Sequence, residues 1–129
     1  METFPMKKTL VIDDSHVIRQ QVEFALKREG IEVLEAENGK QGLELIENRR
    51  DEIGCIFLDY HMPEMNGRQT LEELYKDDKN HSIPIYMLTT EHTQKKIADC
   101  KQFGVKGWIV KPFDPVRLAM LVKAHFSSY

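Results

Sequence analysis

The chain alternates between short apolar runs and longer segments whose apolar residues recur every three or four positions. Residues 53–58 are apolar throughout, which predicts a central strand covered on both faces. Residues 31–36 alternate apolar and charged side chains, as expected of a half-exposed edge strand. The remaining strand-like runs are residues 8–13, 85–88 and 108–110. The pattern therefore predicts five strands, with a helical segment after each of them.

Residues typical of helix ends support the periodicity. The segment 15–29 has one apolar face and is followed by Gly30, which can end a helix in a left-handed conformation. Asn38 is suited to cap the second helix, the fourth runs over 92–103 to Gly104, and Asp114-Pro115 is a typical start for the fifth. The inward-facing residues expected are Ile18, Val22, Ala25, Leu26, Leu43, Ile46, Leu71, Leu74, Tyr75, Leu118, Leu121 and Val122.

Strands that alternate with helices at this spacing predict an α/β fold, a single parallel sheet with helices on both faces. We expect one domain over residues 7–126, preceded by a short tail at residues 1–6 and followed by no output domain. In such open sheets, ligands bind at the carboxyl ends of the strands, near the switch in strand order. The residues that follow the strands are therefore the candidates for chemistry.

Composition narrows the function classes further. The 129 residues suffice for one domain, and a net charge of −3 argues against bulk nucleic-acid binding. The sequence has neither a run long enough to span a membrane nor the pattern of a signal peptide. Cys55 lies in an apolar run and Cys100 in a polar helical stretch, so both fit a reduced compartment. We expect a cytoplasmic monomer that binds neither nucleic acid nor membrane.

Five polar residues follow or end the apolar runs: Asp13, Asp14, Asp59, Thr89 and Lys111. In a parallel sheet they converge on one edge. Three clustered carboxylates repel one another, so they are costly to hold together without a cation. Oxygen ligands suit a hard divalent ion, for which Mg²⁺ is the best candidate. The lysine and the threonine hydroxyl are then available for a phosphoryl group, which predicts a site for phosphorylating a carboxylate.

Each of these residues also has an ordinary interpretation. Asp13 and Asp14 could cap the first helix, and Asp59 could belong to a turn, since Pro63 and Gly67 follow it. A β-branched residue such as Thr89 suits the end of a strand, and Lys111 with Pro112 could form an ordinary loop. Only the coincidence of all five at one edge favours the chemical interpretation.

Four motifs resemble the receiver domain of two-component response regulators. They are Val11-Ile12-Asp13-Asp14-Ser15, the segment from Leu58-Asp59 to Asn66-Gly67, Leu88-Thr89-Thr90-Glu91, and Trp108-Ile109-Val110-Lys111-Pro112-Phe113. The resemblance covers residues 7 to 126, in order and at family-like spacing. It implies a flavodoxin-like, doubly wound (βα)5 fold with a five-stranded parallel sheet in the order 2-1-3-4-5.

The resemblance also implies a role for each matched residue. Asp59 matches the nucleophile that accepts the phosphoryl group, and Lys111 matches the cation that pairs with its oxygens. Asp13 and Asp14 match the acidic pair that positions Mg²⁺, together with Asp59 and the backbone carbonyl of His61. Carboxylates are known nucleophiles for aspartyl-phosphate formation, and the transfer needs mainly positioning and charge neutralisation.

Further matched positions concern switching and lifetime. Thr89 matches the hydroxyl that moves toward the phosphoryl group, and Trp108 takes the place of a switch aromatic that is usually smaller. Trp108 is expected to turn from an exposed conformer toward the space that Thr89 vacates. His61 and Glu91 match positions that tune the rate of dephosphorylation. The resemblance also predicts a cis peptide bond between Lys111 and Pro112.

The function implied is that of a stand-alone switch, which catalyses its own phosphorylation and dephosphorylation and is not otherwise an enzyme. The phosphoryl donor would be a sensor histidine kinase or a histidine phosphotransferase. The downstream target would bind the face formed by helix 4, strand 5 and helix 5. A chemotaxis-type regulator is the favoured interpretation, and a phosphorelay intermediate that passes phosphate between histidine proteins is the alternative.

Three other protein classes share part of the pattern. A flavodoxin-like flavin carrier would need a phosphate loop rich in Gly, Ser and Thr, where this chain has Asp13 and Asp14. A phosphatase of the haloacid dehalogenase type would need a second aspartate at the position of His61. A pseudo-receiver that no longer takes phosphate usually lacks the acid pair, the acceptor or the lysine, all of which are present here.

Overall fold

Five parallel strands form one sheet, and an α-helix follows each strand. The structure, a computed structural model, describes residues 7–126, so the predicted tail at residues 1–6 lies outside the described residues. The strands are β1 Lys8–Ile12, β2 Val33–Ala36, β3 Ile53–Leu58, β4 Ile85–Thr89 and β5 Gly107–Val110. The helices are α1 His16–Lys27, α2 Gly39–Arg49, α3 Gly67–Leu74, α4 Gln94–Lys101 and α5 Pro115–Phe126, with 3₁₀ turns at Arg50–Glu52 and Asp78–Asn80.

The strand order is β2-β1-β3-β4-β5, which confirms the predicted α/β architecture. All four strand pairs are parallel, so the carboxyl ends of the strands lie along one edge of the sheet. All six residues of β3 are buried, as the continuous apolar run predicts. The edge strand β2 has only Ala36 fully buried.

Two apolar cores cover the two faces of the sheet, because successive side chains of a strand point to opposite sides. On one side, Leu10 and Ile12 of β1 pack in a cluster with residues of α2, α3 and α4. On the other side, Val11 packs in a cluster with residues of α1 and α5. The sheet is therefore packed against helices on both faces, and its carboxyl edge positions the side chains that follow the strands.

The helix and strand bounds differ from the predicted ones where a terminal residue takes another role. β2 begins at Val33 rather than at Ile31, because the Ile31 N–H donates to the Leu26 carbonyl and closes the end of α1. Gly30 precedes it with φ of +74°, the left-handed conformation expected of it. Among the residues described, no helix is both long enough and apolar enough to cross a bilayer.

Candidate functional site

The carboxyl edge of the sheet brings together the five polar residues selected from the sequence. Asp13 and Asp59 directly follow β1 and β3, Thr89 is the last residue of β4, and Lys111 directly follows β5. Asp13, Asp14 and Asp59 each offer a carboxylate oxygen, and these atoms all lie within 4.8 Å of one another. The predicted convergence is present for the three carboxylates and the Lys111 ammonium, and Thr89 ends the neighbouring strand β4 at the same edge.

The carboxylates differ in their access to solvent. Asp13 is 1% exposed and Asp59 is 5% exposed, whereas Asp14 is exposed. The Lys111 ammonium lies between the two buried acids, with Nζ 2.6 Å from Asp13 Oδ2 and 3.4 Å from Asp59 Oδ2. Of the three carboxylates, only that of Asp14 is open to solvent.

Burial raises the pKa of the Asp13 carboxyl above its ordinary value, and the nearby charge of Asp59 acts in the same direction. The hydrogen bonds from Lys111 and from the Ser15 N–H oppose this shift. Holding this acid ionised beside a second carboxylate thus carries an electrostatic cost. A cation bound at the carboxylates would reduce that cost, and a site whose side-chain donors are all carboxylate oxygens suits a hard divalent ion.

Helix α1 and its cap fix the position of Asp13. The Ser15 N–H donates to Asp13 Oδ1 at 2.9 Å, and Ser15 Oγ accepts the Ile18 N–H at 3.3 Å, which caps the helix. Arg19 donates from Nη1 to the Asp13 carbonyl at 2.6 Å and from Nε to Glu35 at 3.1 Å. Arg19 was not among the residues selected from the sequence, because its charge gives no sign that it reaches the Asp13 carbonyl directly after β1.

The loop after Asp59 is held against the start of α3. The Gly67 N–H donates to the Tyr60 carbonyl at 2.7 Å. Asn66 and Gln69 form a capping box, in which each side chain accepts the other residue's backbone N–H at 2.9 Å. The loop after Asp59 is thereby tied to a well-capped helix.

The peptide bond between Lys111 and Pro112 is cis, as predicted. The Lys111 N–H donates to the Thr89 carbonyl at 3.0 Å. From this segment of backbone the Lys111 side chain extends to Asp13 and Asp59.

Glu91 connects the threonine and the tryptophan that were predicted to act in switching. The Glu91 N–H donates to Thr89 Oγ1 at 3.2 Å, and the Glu91 carbonyl accepts Trp108 Nε1–H at 2.7 Å. Thr89 is fully buried and Trp108 is half-buried. In this structure the Trp108 indole is therefore held by a hydrogen bond to the Glu91 carbonyl. The more exposed conformer, from which the switch was expected to start, stays a prediction.

His61 lies two residues after Asp59, and its side chain is 53% exposed. Its Nε2 is 2.8 Å from Glu91 Oε1, which links the loop after β3 to the loop after β4. Hydrogen bonds from Thr93 lower the pKa of the Glu91 carboxyl to about 2, and Lys96 adds to the effect. Glu91 is therefore an ionised group beside the candidate site.

Comparison with known proteins identifies the class. The family described as response regulator receiver domain matches residues 9–123, and the chain belongs to this family. It is similar to the chemotaxis protein CheY1 of Helicobacter pylori, with 38% identity over 109 residues, which is 84% of this chain and 87% of that protein. It is also similar to the chemotaxis protein CheY homolog of Campylobacter jejuni, with 36% identity over 84% of this chain and 83% of that protein.

Comparison with a solved structure supports the same protein class. The chemotaxis protein CheY4 of Vibrio cholerae superposes with a TM-score of 0.84 at 35% identity, over 94% of this chain and 99% of that chain. The match extends well beyond the short motifs and includes the helices on both faces of the sheet. The predicted family and the predicted likeness to chemotaxis regulators are both confirmed.

Proposed function

We propose that residues 7–126 form a receiver domain that takes a phosphoryl group from a phosphohistidine protein onto Asp59. The observation that carries this proposal is the Lys111 ammonium, shared by two buried carboxylates in a cluster of three. An ammonium placed in this way can also neutralise the negative charge of a phosphoryl group that arrives at Asp59. A purely structural ion pair between Lys111 and Asp13 would not need the carboxylates of Asp59 and Asp14 beside it.

The reaction follows from this geometry. An oxygen of the Asp59 carboxylate attacks the phosphorus, the new P–O bond forms, and the P–N bond to the donor histidine breaks. The electron pair of that bond goes to the imidazole nitrogen of the donor. Lys111 stabilises the charge that builds up on the phosphoryl oxygens, which is the main catalytic requirement of phosphoryl transfer.

Mg²⁺ fits the donor set. Asp13, Asp14 and Asp59 would hold the ion, and the backbone carbonyl of His61 is proposed as a further ligand. When bound, Mg²⁺ supplies positive charge that offsets the repulsion among the carboxylates and the incoming phosphoryl group. Lys111, which now lies 2.6 Å from Asp13, is then free to pair with the phosphoryl group.

The output is a change in partner binding. The Thr89 hydroxyl would donate a charge-assisted hydrogen bond to the phosphoryl group, and Trp108 would respond through the loop that both contact. A downstream protein would bind the face made by α4, β5 and α5. The named relatives are chemotaxis proteins, which favours a chemotaxis-type cytoplasmic regulator over a phosphorelay intermediate.

The lifetime of the phosphorylated state is proposed to depend on His61 and Glu91. Their side chains contact each other at 2.8 Å and join the loops that follow Asp59 and Thr89. A water molecule that hydrolyses the aspartyl phosphate has to approach between these loops. Changes at either residue would therefore alter dephosphorylation more than metal binding.

The test is phosphorylation by acetyl phosphate, measured as a mass increase of the intact protein, with Mg²⁺ and with a chelator. The wild-type chain should be labelled only with Mg²⁺. Asp59→Asn should not be labelled, whereas the control Asp78→Asn, at a side chain that is 98% exposed, should behave like the wild type. Full labelling of Asp59→Asn, or labelling that survives chelation, would contradict the proposal.

A further inference from the structure

Glu91 carries a buried carboxylate whose two oxygens are engaged separately. Its side chain is 6% exposed. Oε2 accepts the His92 N–H at 3.1 Å and the Thr93 N–H at 2.8 Å, and Oε1 lies 2.8 Å from His61 Nε2. The carboxylate therefore occupies one defined place between the two loops.

Lys96 completes this arrangement from α4. Its Nζ lies 3.2 Å from Glu91 Oε1, the same oxygen that His61 contacts, and 5.4 Å from the centre of the Tyr60 ring. Tyr60 directly follows Asp59. One ammonium thus contacts residues of both loops that flank the candidate site.

The position of Lys96 is electrostatically unfavourable within its own helix. α4 begins at Gln94, so Lys96 lies in its first turn, where the helix dipole disfavours a positive charge. Exposed ion pairs contribute little to stability in general. Here the carboxylate partner is almost fully buried, so solvent screens this pair less than an ordinary surface pair.

We propose that Lys96 is a positioning residue for phosphorylation, which neutralises the Glu91 carboxylate and holds it between His61 and the Thr89 loop. This inference rests on the proposed function of Asp59. An arriving phosphoryl group adds negative charge at Asp59, and the Glu91 carboxylate lies nearby because it contacts His61, two residues after Asp59, while the Glu91 backbone N–H donates to Thr89 Oγ1. Without the ammonium, that carboxylate repels the phosphoryl group, and the phosphorylated state loses stability.

The experiment measures binding of fluoroberyllate, a phosphoryl mimic, to the full chain at saturating Mg²⁺. The bound species is observed by ¹⁹F NMR, so the measurement does not depend on Trp108. Lys96→Gln should raise the dissociation constant by about threefold or more, the scale of one partly screened ion pair. Lys96→Arg keeps the charge and should return the constant to within about twofold of the wild-type value.

Lys95→Gln is the matched control, because it removes the same charge from the neighbouring position. Lys95 is exposed and makes no ion pair within residues 7–126. Its substitution should leave the dissociation constant close to the wild-type value. An equal loss in Lys95→Gln and Lys96→Gln would overturn the proposal, since it would show only an effect of net charge.

The double variant Glu91→Gln with Lys96→Gln tests charge compensation directly. Its amide keeps an acceptor oxygen for the backbone N–H groups but carries no charge, so binding should recover toward the wild-type value. No effect of Lys96→Gln alone, or a double variant as weak as Lys96→Gln, would overturn the inference. If the wild-type chain binds no fluoroberyllate with Mg²⁺, the proposed function fails, and this inference fails with it.

Discussion

Replacing Gly67 by alanine should displace the backbone of the proposed phosphoacceptor. Gly67 is the first residue of α3, and a Cβ atom placed on it would lie 2.6 Å from the Asp59 carbonyl oxygen and 2.8 Å from Tyr60 Cα. Both are backbone atoms and cannot rotate aside. Ordinary van der Waals contact begins at 3.4 Å, so the acceptor loop and α3 must separate by about 0.6 to 0.8 Å.

The size of the effect follows from this overlap. Overpacking a buried contact costs about 1–3 kcal/mol, and the better helix propensity of alanine offsets at most about 1 kcal/mol. We expect a net loss of about 1–2 kcal/mol, which for a domain of this size lowers Tm by roughly 4–8 °C. A shift approaching 1 Å in the position of a reacting group can slow a reaction about 100-fold, so labelling of Asp59 should slow by about tenfold or more.

The assay pairs thermal unfolding with the rate of labelling by acetyl phosphate and Mg²⁺. Gly42→Ala is the control, because its Cβ atom would lie 2.4 Å from Ile12 Cδ1, the end of a side chain rather than backbone. Gly42→Ala should lower Tm while leaving the labelling rate close to the wild-type value. A Gly67→Ala variant that keeps both the wild-type Tm and the wild-type labelling rate would contradict the predicted displacement of the Asp59 backbone.

Three further measurements test the candidate site and the helix cap of α3. The emission of Trp108 should change when fluoroberyllate and Mg²⁺ are added together, and the change should shrink in Thr89→Ala. An unchanged spectrum at full occupancy would assign Trp108 a structural role. Replacing His61 by alanine should alter the dephosphorylation rate severalfold at constant Mg²⁺ affinity, and a large loss of affinity would instead make the imidazole a metal ligand. Asn66→Ala removes a helix cap and should lower the free energy of unfolding by about 1 kcal/mol, measured as a lower urea midpoint at an unchanged m-value. An unchanged midpoint would show that the cap of α3 is dispensable.

The fold was predictable because its main signals are local. The apolar run 53–58 became β3 with the same bounds, and Pro115 opens α5 as expected of proline in the first turn. The bounds of α4 were less accurate, with a prediction of 92–103 against Gln94–Lys101. The Glu91 side chain binds the N–H groups of the two residues before α4, so they belong to the loop rather than to the helix.

The residues of the candidate site were predictable for a related reason. A parallel sheet brings the ends of its strands to one edge, so the positions of Asp13, Asp59 and Lys111 in the sequence were enough to place them together. The exact pairing was not predictable. The preference of Lys111 for Asp13 over Asp59, at 2.6 Å against 3.4 Å, depends on side-chain geometry at the end of β5.

The contacts made by Arg19, Glu91 and Lys96 could not be derived from the sequence at all. Arg19 reaches the Asp13 carbonyl from α1, and Lys96 reaches Glu91 from α4. Charged residues on a helix usually face solvent, so nothing in the local pattern separates these from their neighbours. Long-range packing of helices against the sheet determines which charged side chains meet the site.

The most direct test of the central claim is to locate the phosphoryl group on the protein. The wild-type chain is treated with acetyl phosphate and Mg²⁺, the aspartyl phosphate is reduced with borohydride, and the peptides are mapped by mass spectrometry. Asp59 alone should be converted to homoserine. Conversion at another residue, or no conversion at Asp59 in a protein that gains phosphate mass, would contradict the central claim.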